Sequence, residues 1–243
     1  DEGCYYCLDM GSVFMSMPFM TAPLSSPWVA DFCASPGGKS VAAWRALRPS
    51  SLLSNETIGK RTAALISNLK RCRTIPCRVT CNDPQPLAAA LEGCADLVIV
   101  DAPCSGQALI GKGDRSDNCF HPVMINRNAM RQRRIIATAA GAVAPGGFLS
   151  YMTCTFSREE NEGVLEWFLK GHPEFVPMNV EVLRSYQSNL ASFPCYRLWP
   201  QHGEGSGGFA SLLQRRSGEE RGEPHLEQLR IVWEATGETQ EGE

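Results

Sequence analysis

Trp28-Val-Ala-Asp-Phe-Cys-Ala-Ser-Pro-Gly-Gly-Lys-Ser40 is the stretch from which the fold is read. It opens as a short apolar run ending at Asp31 and Cys33 and turns tightly at Ser35-Pro36-Gly37-Gly38. It then continues into Val41–Leu47, whose composition favours a helix. Strand, glycine turn and helix, in that order, are how an open α/β sheet builds a ligand cradle at the carboxyl end of its first strand. The glycines permit close approach of backbone to ligand, and the helix start offers unpaired N–H groups. Two other readings stand beside this one. Gly38-Lys39-Ser40 ends like a phosphate-binding P-loop, but that pattern needs a glycine where Cys33 stands. A bare structural turn is the third, since Pro-Gly-Gly is common punctuation.

Outward from this stretch, strands and helices alternate. Ser51–Glu56 reads as a second strand ending on an acid, where cofactor-binding α/β units place a group for a ribose hydroxyl; an acid at a helix start is the plainer reading. Lys60–Cys72 has helical character, Arg78–Asn82 is a third strand followed by Asp83, and Pro86–Glu92 is a short helix. Asp96–Ala102 is the clearest strand, a continuous apolar run of the kind buried in parallel sheets. A long polar loop runs from Pro103 to Pro122, and Ile125–Val143 is a helix carrying Arg127, Arg131, Arg133 and Arg134. Pro145-Gly146-Gly147 turns the chain into a fifth strand, Phe148–Thr153, and Ser157 with Glu160 forms a capping box for a helix from Arg158 to Lys170. Strands near Cys195–Leu198 and Gly208–Leu213 suit an antiparallel hairpin at a sheet edge. The expected fold is therefore α/β, with a doubly wound, mostly parallel sheet and an antiparallel edge hairpin. Residues 1–27 form a lead-in segment, 28–216 the domain proper, and 217–243 a loosely held acidic tail or the start of a further segment.

Composition is that of an ordinary globular protein: 43% hydrophobic, 20% charged, formal net charge −3 over 243 residues. No apolar run approaches the roughly 20 residues a membrane helix needs, so no membrane partner is expected. The first residue is Asp1 and no secretory signal is visible, so a fragment of a longer protein is expected. The eleven cysteines are scattered; Cys4 and Cys7 form a lone C-x2-C, so no metal site is expected and Cys33, Cys72, Cys77, Cys81 and Cys94 read as small core residues or free thiols. Free thiols fit a reducing, cytoplasmic setting. The net charge hides an asymmetry. Lys39–Arg134 holds 15 Lys/Arg against 7 Asp/Glu, whereas Tyr151 onward holds 8 against 15. The basic part is either a solvated surface or a polyanion-binding face, with Lys112 and Arg115 joining the four arginines as candidate phosphate contacts.

Two strand-end loops carry cysteine: Asp101-Ala-Pro-Cys-Ser-Gly106 and Thr153-Cys-Thr155. In a doubly wound sheet both lie on the same carboxyl edge as Gly37-Gly38, so two thiols, a carboxylate and a ligand cradle converge. His121, His172, His202 and His225 are dispersed, leaving a cysteine–histidine hydrolase without an obvious base, and sequence alone does not establish a redox pair. Methylation of pyrimidine carbon 5 fits. That carbon is a poor nucleophile until a thiolate adds at carbon 6, an acid must hold the ring edge, and a base must then remove the carbon-5 proton.

At these residues the chain resembles the Sun family of RNA cytosine-5 methyltransferases, and within it the bacterial small-subunit ribosomal RNA F-type branch. Cys33-Ala-Ser-Pro-Gly-Gly-Lys39, Asp101-Ala-Pro-Cys-Ser-Gly106 and Thr153-Cys-Thr155 with Glu159-Glu-Asn-Glu162 stand in the family's order and at similar spacing. Gly3-Cys-Tyr-Tyr6, Arg197-Leu-Trp-Pro200 and Gly208-Phe209-Ala210 resemble its flanking motifs, so the likeness runs from Gly3 to Arg215. The resemblance implies a Rossmann-like methyltransferase using S-adenosylmethionine, with RNA as substrate, ribosomal RNA ahead of tRNA, and a monomer. It implies that Cys33, Ala34, Ser35, Pro36, Gly37, Gly38 and Lys39 contact the cofactor, with Glu56 at its ribose and Asp83 near its adenine. Asp101 is implied beside the cofactor's amino-acid end and the target base. It further implies Cys154 as nucleophile and Cys104 as the residue assisting product release, a choice that spacing alone does not make. Lys39 is a candidate for lowering the Cys154 pKa. Ser35 and Ser40 stand where the family usually has Ala and Thr, Leu8 where it has Gln, and Gln107-Ala-Leu-Ile110 is less typical of the loop after Gly106. A non-catalytic RNA-binding module on the same fold is the second reading, and a P-loop nucleotidase the third.

Overall fold

The computed structural model describes residues 6–113, 118–218 and 220–236. Its strands are β1 (Trp28–Asp31), β2 (Ser51–Asn55), β3 (Cys77–Thr80), β4 (Ala95–Asp101), β5 (Val143–Thr153), β6 (Phe175–Pro177), β7 (Tyr196–Leu198), β8 (Gly208–Arg215) and β9 (Ile231–Ala235). Its α-helices are α1 (Met10–Met20), α2 (Gly38–Leu47), α3 (Gly59–Arg71), α4 (Pro84–Ala90), α5 (Pro122–Ala140) and α6 (Glu162–Gly171).

Among the described residues the nine strands join one sheet in the order β6-β8-β5-β4-β1-β2-β3-β9, with β7 also paired to β8. The five central strands are parallel, and β6, β7, β8 and β9 add antiparallel pairings at the two sides. Strand alternation decides which core each residue enters. In β4, Leu97 and Ile99 face the layer of α1, α2 and α3, with Phe19, Ala43 and Leu65. Val98 and Val100 face α4, α5 and α6, with Leu87, Ile136 and Phe168. A strand buried on both faces reads as an unbroken apolar run, which is why β4 stands out in the sequence.

Several elements differ from expectation, each for a local reason. Helix α5 starts at Pro122 rather than Ile125, since proline at the first helical position gives up no hydrogen bond and His121 accepts from the Val123 N–H. Strand β5 starts at Val143, because Pro145-Gly146-Gly147 lies within the strand where its register with β4 shifts. The loop from Pro103 contains a 3-10 turn over Gln107–Lys112. Strands β7 and β8 pair as antiparallel partners, but β8 lies inside the sheet, hydrogen-bonded to β5 on its other side. The capping box at Ser157 is only half formed. The Glu160 N–H reaches Ser157 Oγ at 3.3 Å, but the Glu160 side chain turns away and the helix begins at Glu162. Within the expected acidic tail, β9 returns to the sheet and pairs with β3.

Candidate active site

Parallel pairing sends the loops after β1 to β5 out of the same sheet edge. Asp101 sits opposite Met152, so the chain leaves β4 and β5 side by side. Cys104 Sγ and Cys154 Sγ lie 3.2 Å apart as free thiols. The hydrogen bond from the Cys104 thiol is the largest influence on Cys154 and holds it below the usual thiol range; burial and Asp101 oppose this, and Lys39 adds a smaller favourable charge. The same bond, together with burial, pushes Cys104 well above that range. Lys39 Nζ donates to Asp101 Oδ2 at 3.1 Å. Burial works against the Lys39 ammonium, but the charge and hydrogen bond of Asp101 outweigh it and raise its pKa.

The Cys33–Lys39 loop is held from three sides. Ala34 N donates to Asn55 O at 2.8 Å, Asn68 Nδ2 to Pro36 O at 2.7 Å, and Arg61 Nη2 to Ser35 O at 3.1 Å. Gly37 has φ 118°, open to glycine, and a Cβ there would come 3.3 Å from Leu65. A Cβ on Gly38 would meet the Leu8 and Tyr6 side chains at 3.1 and 3.2 Å, so packing within the chain favours glycine there as well. Beneath the loop, fully buried Asp31 accepts from Ser40 Oγ at 2.7 Å and Cys33 N at 3.3 Å. Burial is the main cause pushing Asp31 up to about 7, with the charge of Asp101 adding to it. Burial likewise pushes the Cys33 thiol up.

Glu56 and Asp83 stand at the ends of β2 and β3. Buried Glu56 accepts from Ile58 N at 2.8 Å and pairs with Arg61 at 3.2 Å. Asp83 is exposed and makes no side-chain cap bond to α4. Thus Cys104, Cys154, Asp101 and Lys39 meet at one point, while Glu56 and Asp83 lie further along the same edge. Among the candidate basic residues, Arg127, Arg131 and Arg134 are exposed on α5, whereas Arg133 lies over the Trp167 ring at 5.7 Å. Lys112 is engaged by Asp9 at 2.6 Å, and Arg115 lies outside the described residues, as does Cys4. No cluster able to hold a metal ion occurs among the described residues, and no helix there is long and apolar enough to cross a membrane.

Other residues that shape the site were not among the site residues read from the sequence, and they are polar and buried. Glu160 Oε2 accepts from Ser105 N at 2.9 Å and Gln132 Nε2 at 2.8 Å, and Gln132 Nε2 also reaches Pro103 O at 3.0 Å. Asn161 Nδ2 donates to Thr155 O at 2.9 Å, and its Oδ1 accepts from Thr153 Oγ1 at 2.5 Å. Gln107 accepts from Phe156 N at 2.9 Å and donates to Cys119 O at 3.0 Å. Arg197 and Glu162 form a buried pair, and Arg197 Nη1 also donates to Phe156 O at 3.0 Å. The visible signal is the run Glu159-Glu-Asn-Glu162, polar residues where an amphipathic helix would place its first apolar turn.

Known proteins resemble the chain in sequence and fold. A ribosomal RNA small subunit methyltransferase F from Escherichia fergusonii is 30% identical over 218 residues, covering 88% of this chain and 45% of the relative. The chain thus spans less than half the length of that relative. The crystal structure of PH0851 superposes with a TM-score of 0.75 at 28% identity, covering 86% of this chain and 47% of that one. NSun6 from Pyrococcus horikoshii, solved with SFG, superposes with a TM-score of 0.75 at 23% identity, covering 89% of this chain and 54% of that one, a likeness of fold. The model of the 16S rRNA methyltransferase RsmB/F family matches residues 18–214, which include both cysteine loops and the glycine turn, and the chain belongs to that family.

Proposed function

We propose that this chain transfers a methyl group from S-adenosylmethionine to carbon 5 of cytosine in RNA, ribosomal RNA first, through a covalent bond between Cys154 and carbon 6. The observation that carries the reading is the pair of thiols 3.2 Å apart, with opposite shifts in acidity, beside Lys39–Asp101. The strand-end groups fit the cofactor. Glu56, Asp83 and Asp101 line the edge with carboxylates suited to a sulfonium cation and to ribose hydroxyls, and the Asp83 side chain is exposed with no cap bond to satisfy. Residues Cys33–Lys39, Glu56, Asp83 and Asp101 would hold the cofactor, which supplies an electrophilic methyl group.

The chain's own residues then divide the work. The target base leaves any stack to reach the thiols. Asp101 holds the cytosine edge, with Lys39 fixing its carboxylate. Cys154, kept acidic by the Cys104 thiol, attacks carbon 6, and the electron pair displaced to carbon 5 takes the methyl group. Removal of the carbon-5 proton, assisted by Cys104, then expels the Cys154 thiolate and restores the ring. The test is a denaturing gel with target RNA. Cys154→Ala abolishes both methyl transfer and adduct. Cys104→Ala still forms the adduct but releases it poorly, leaving a denaturant-resistant complex. A trapped complex with Cys154→Ala and none with Cys104→Ala would reverse the two roles.

A further inference from the structure

We infer that the two thiols are positioned by two separate buried residues adjacent in sequence: Glu160 holds Cys104 and Asn161 holds Cys154. Both side chains are fully buried, and their hydrogen bonds run to different loops. The Glu160 carboxylate takes the N–H of Ser105, the peptide just after Cys104. Gln132 donates to that same oxygen and to Pro103 O, just before Cys104. Both flanks of Cys104 are therefore tied to one carboxylate oxygen. Asn161 bonds Thr155 O and Thr153 Oγ1, the flanks of Cys154.

The rest of the Glu160 carboxylate is buried, which raises its pKa, while the hydroxyls of Ser105 and Thr155 act on it as further hydrogen-bond donors. Glu160→Gln keeps an oxygen for the Ser105 and Gln132 donors. The hydrogen bonds to the Cys104 loop carry the positioning, and the conservative variant preserves them. Glu160 acts through Cys104 and is a positioning residue for the release step, which rests on the proposed cysteine roles.

One readout needs neither RNA nor cofactor. The Cys104 thiol reaches the Cys154 sulfur only while the Cys104 loop is held, and that contact keeps Cys154 acidic. The other charged groups facing Cys154 are Asp101 and Lys39, which these substitutions leave in place. Alkylation of Cys154 by iodoacetamide, followed by mass spectrometry across pH, reports its ionisation. Glu160→Ala moves the midpoint upward and lowers the rate at neutral pH, and Glu160→Gln stays near the parent. Gln132→Met, which removes both donated bonds without touching a carboxylate, moves it the same way and serves where Glu160→Ala does not fold.

The second readout uses 16S ribosomal RNA transcript and labelled S-adenosylmethionine. Glu160→Ala slows release of the adduct more than its formation, and Asn161→Ala slows formation. Unchanged profiles in Glu160→Ala and Gln132→Met, or Glu160→Gln as impaired as Glu160→Ala, would overturn the inference. If the parent forms no adduct and transfers no methyl, the functional reading fails while the alkylation profiles still judge the positioning.

Discussion

Replacing Arg197 by Met is the sharpest stability test this structure offers. Arg197 is 4% exposed and Glu162 0%, and the guanidinium meets the carboxylate with two donors. A third donor reaches Phe156 O at 3.0 Å, and the plane lies 5.0 Å from the Trp199 ring. Methionine fills much of the volume but leaves Glu162 buried with only Ser188 Oγ, at 2.6 Å, as a donor. Removing one partner of such a pair costs about 3–5 kcal/mol, because the remaining charge is uncompensated. At about 2–4 °C per kcal/mol for a domain of this size, Tm falls by about 6–20 °C. The double variant Glu162→Leu/Arg197→Met removes both charges, so it recovers at least about 2 kcal/mol relative to Arg197→Met alone. Guanidinium unfolding followed by tryptophan fluorescence, with calorimetry for Tm, measures Arg197→Met, Glu162→Leu and the double variant. A loss under about 1 kcal/mol for Arg197→Met, or strictly additive losses in the double variant, would refute the argument that the pair is buried, coupled and essential as a pair.

Two further outcomes follow from the site. Asp31 is raised from 3.8 to about 7 in the folded chain, so its stabilising contribution is complete below about pH 4 and is lost as pH rises towards 7. Asp31→Asn therefore flattens the stability profile over that window and gains at pH 8, on the order of 1.4 kcal/mol for every pH unit by which burial had displaced the carboxyl; urea unfolding at pH 5 and pH 8 with the same slope for both proteins would contradict this. RNA binding is expected to weaken steeply with salt, and changing the exposed Arg127, Arg131 and Arg134 together to Ala reduces the slope of log K against log salt by about 2–3, read by filter binding; an unchanged slope would remove this face from the interface.

What sequence conveyed was whatever depends on neighbours along the chain or on the parallel topology. The glycine turn after β1 is local, and Cys104 and Cys154 converge because parallel strands deliver their following loops to one edge. Glu160 illustrates what stayed hidden. Its spacing from Ser157 satisfies a local capping pattern, but the N–H of Ser105, 55 residues away, takes the carboxylate instead. Arg197 and Glu162 belong to separate motifs, and nothing in their spacing says they pair. Asn55 was likewise invisible, though its amide joins Phe32 O to Asn82 O at the ends of β1 and β3. Strand β9 was concealed by Glu- and Gly-rich surroundings that lower the mean hydropathy around Ile231-Val-Trp-Glu-Ala235.

That strand has a consequence of its own. A parallel sheet that stopped at β3 would present a row of unsatisfied backbone donors and acceptors to any other chain, a template for intermolecular pairing. Strand β9 occupies those groups, with Trp233 opposite Val79, Glu234 bound to Arg78 at 2.7 Å and Lys70 over the Trp233 ring at 5.8 Å. Its pairing with β3 slips between Val79 and Thr80, and such an irregularity twists an edge away from flat stacking. The sheet therefore ends on a short, charged β9 rather than on β3, and a chain trimmed before Ile231 would expose the β3 edge while keeping every group of the candidate site.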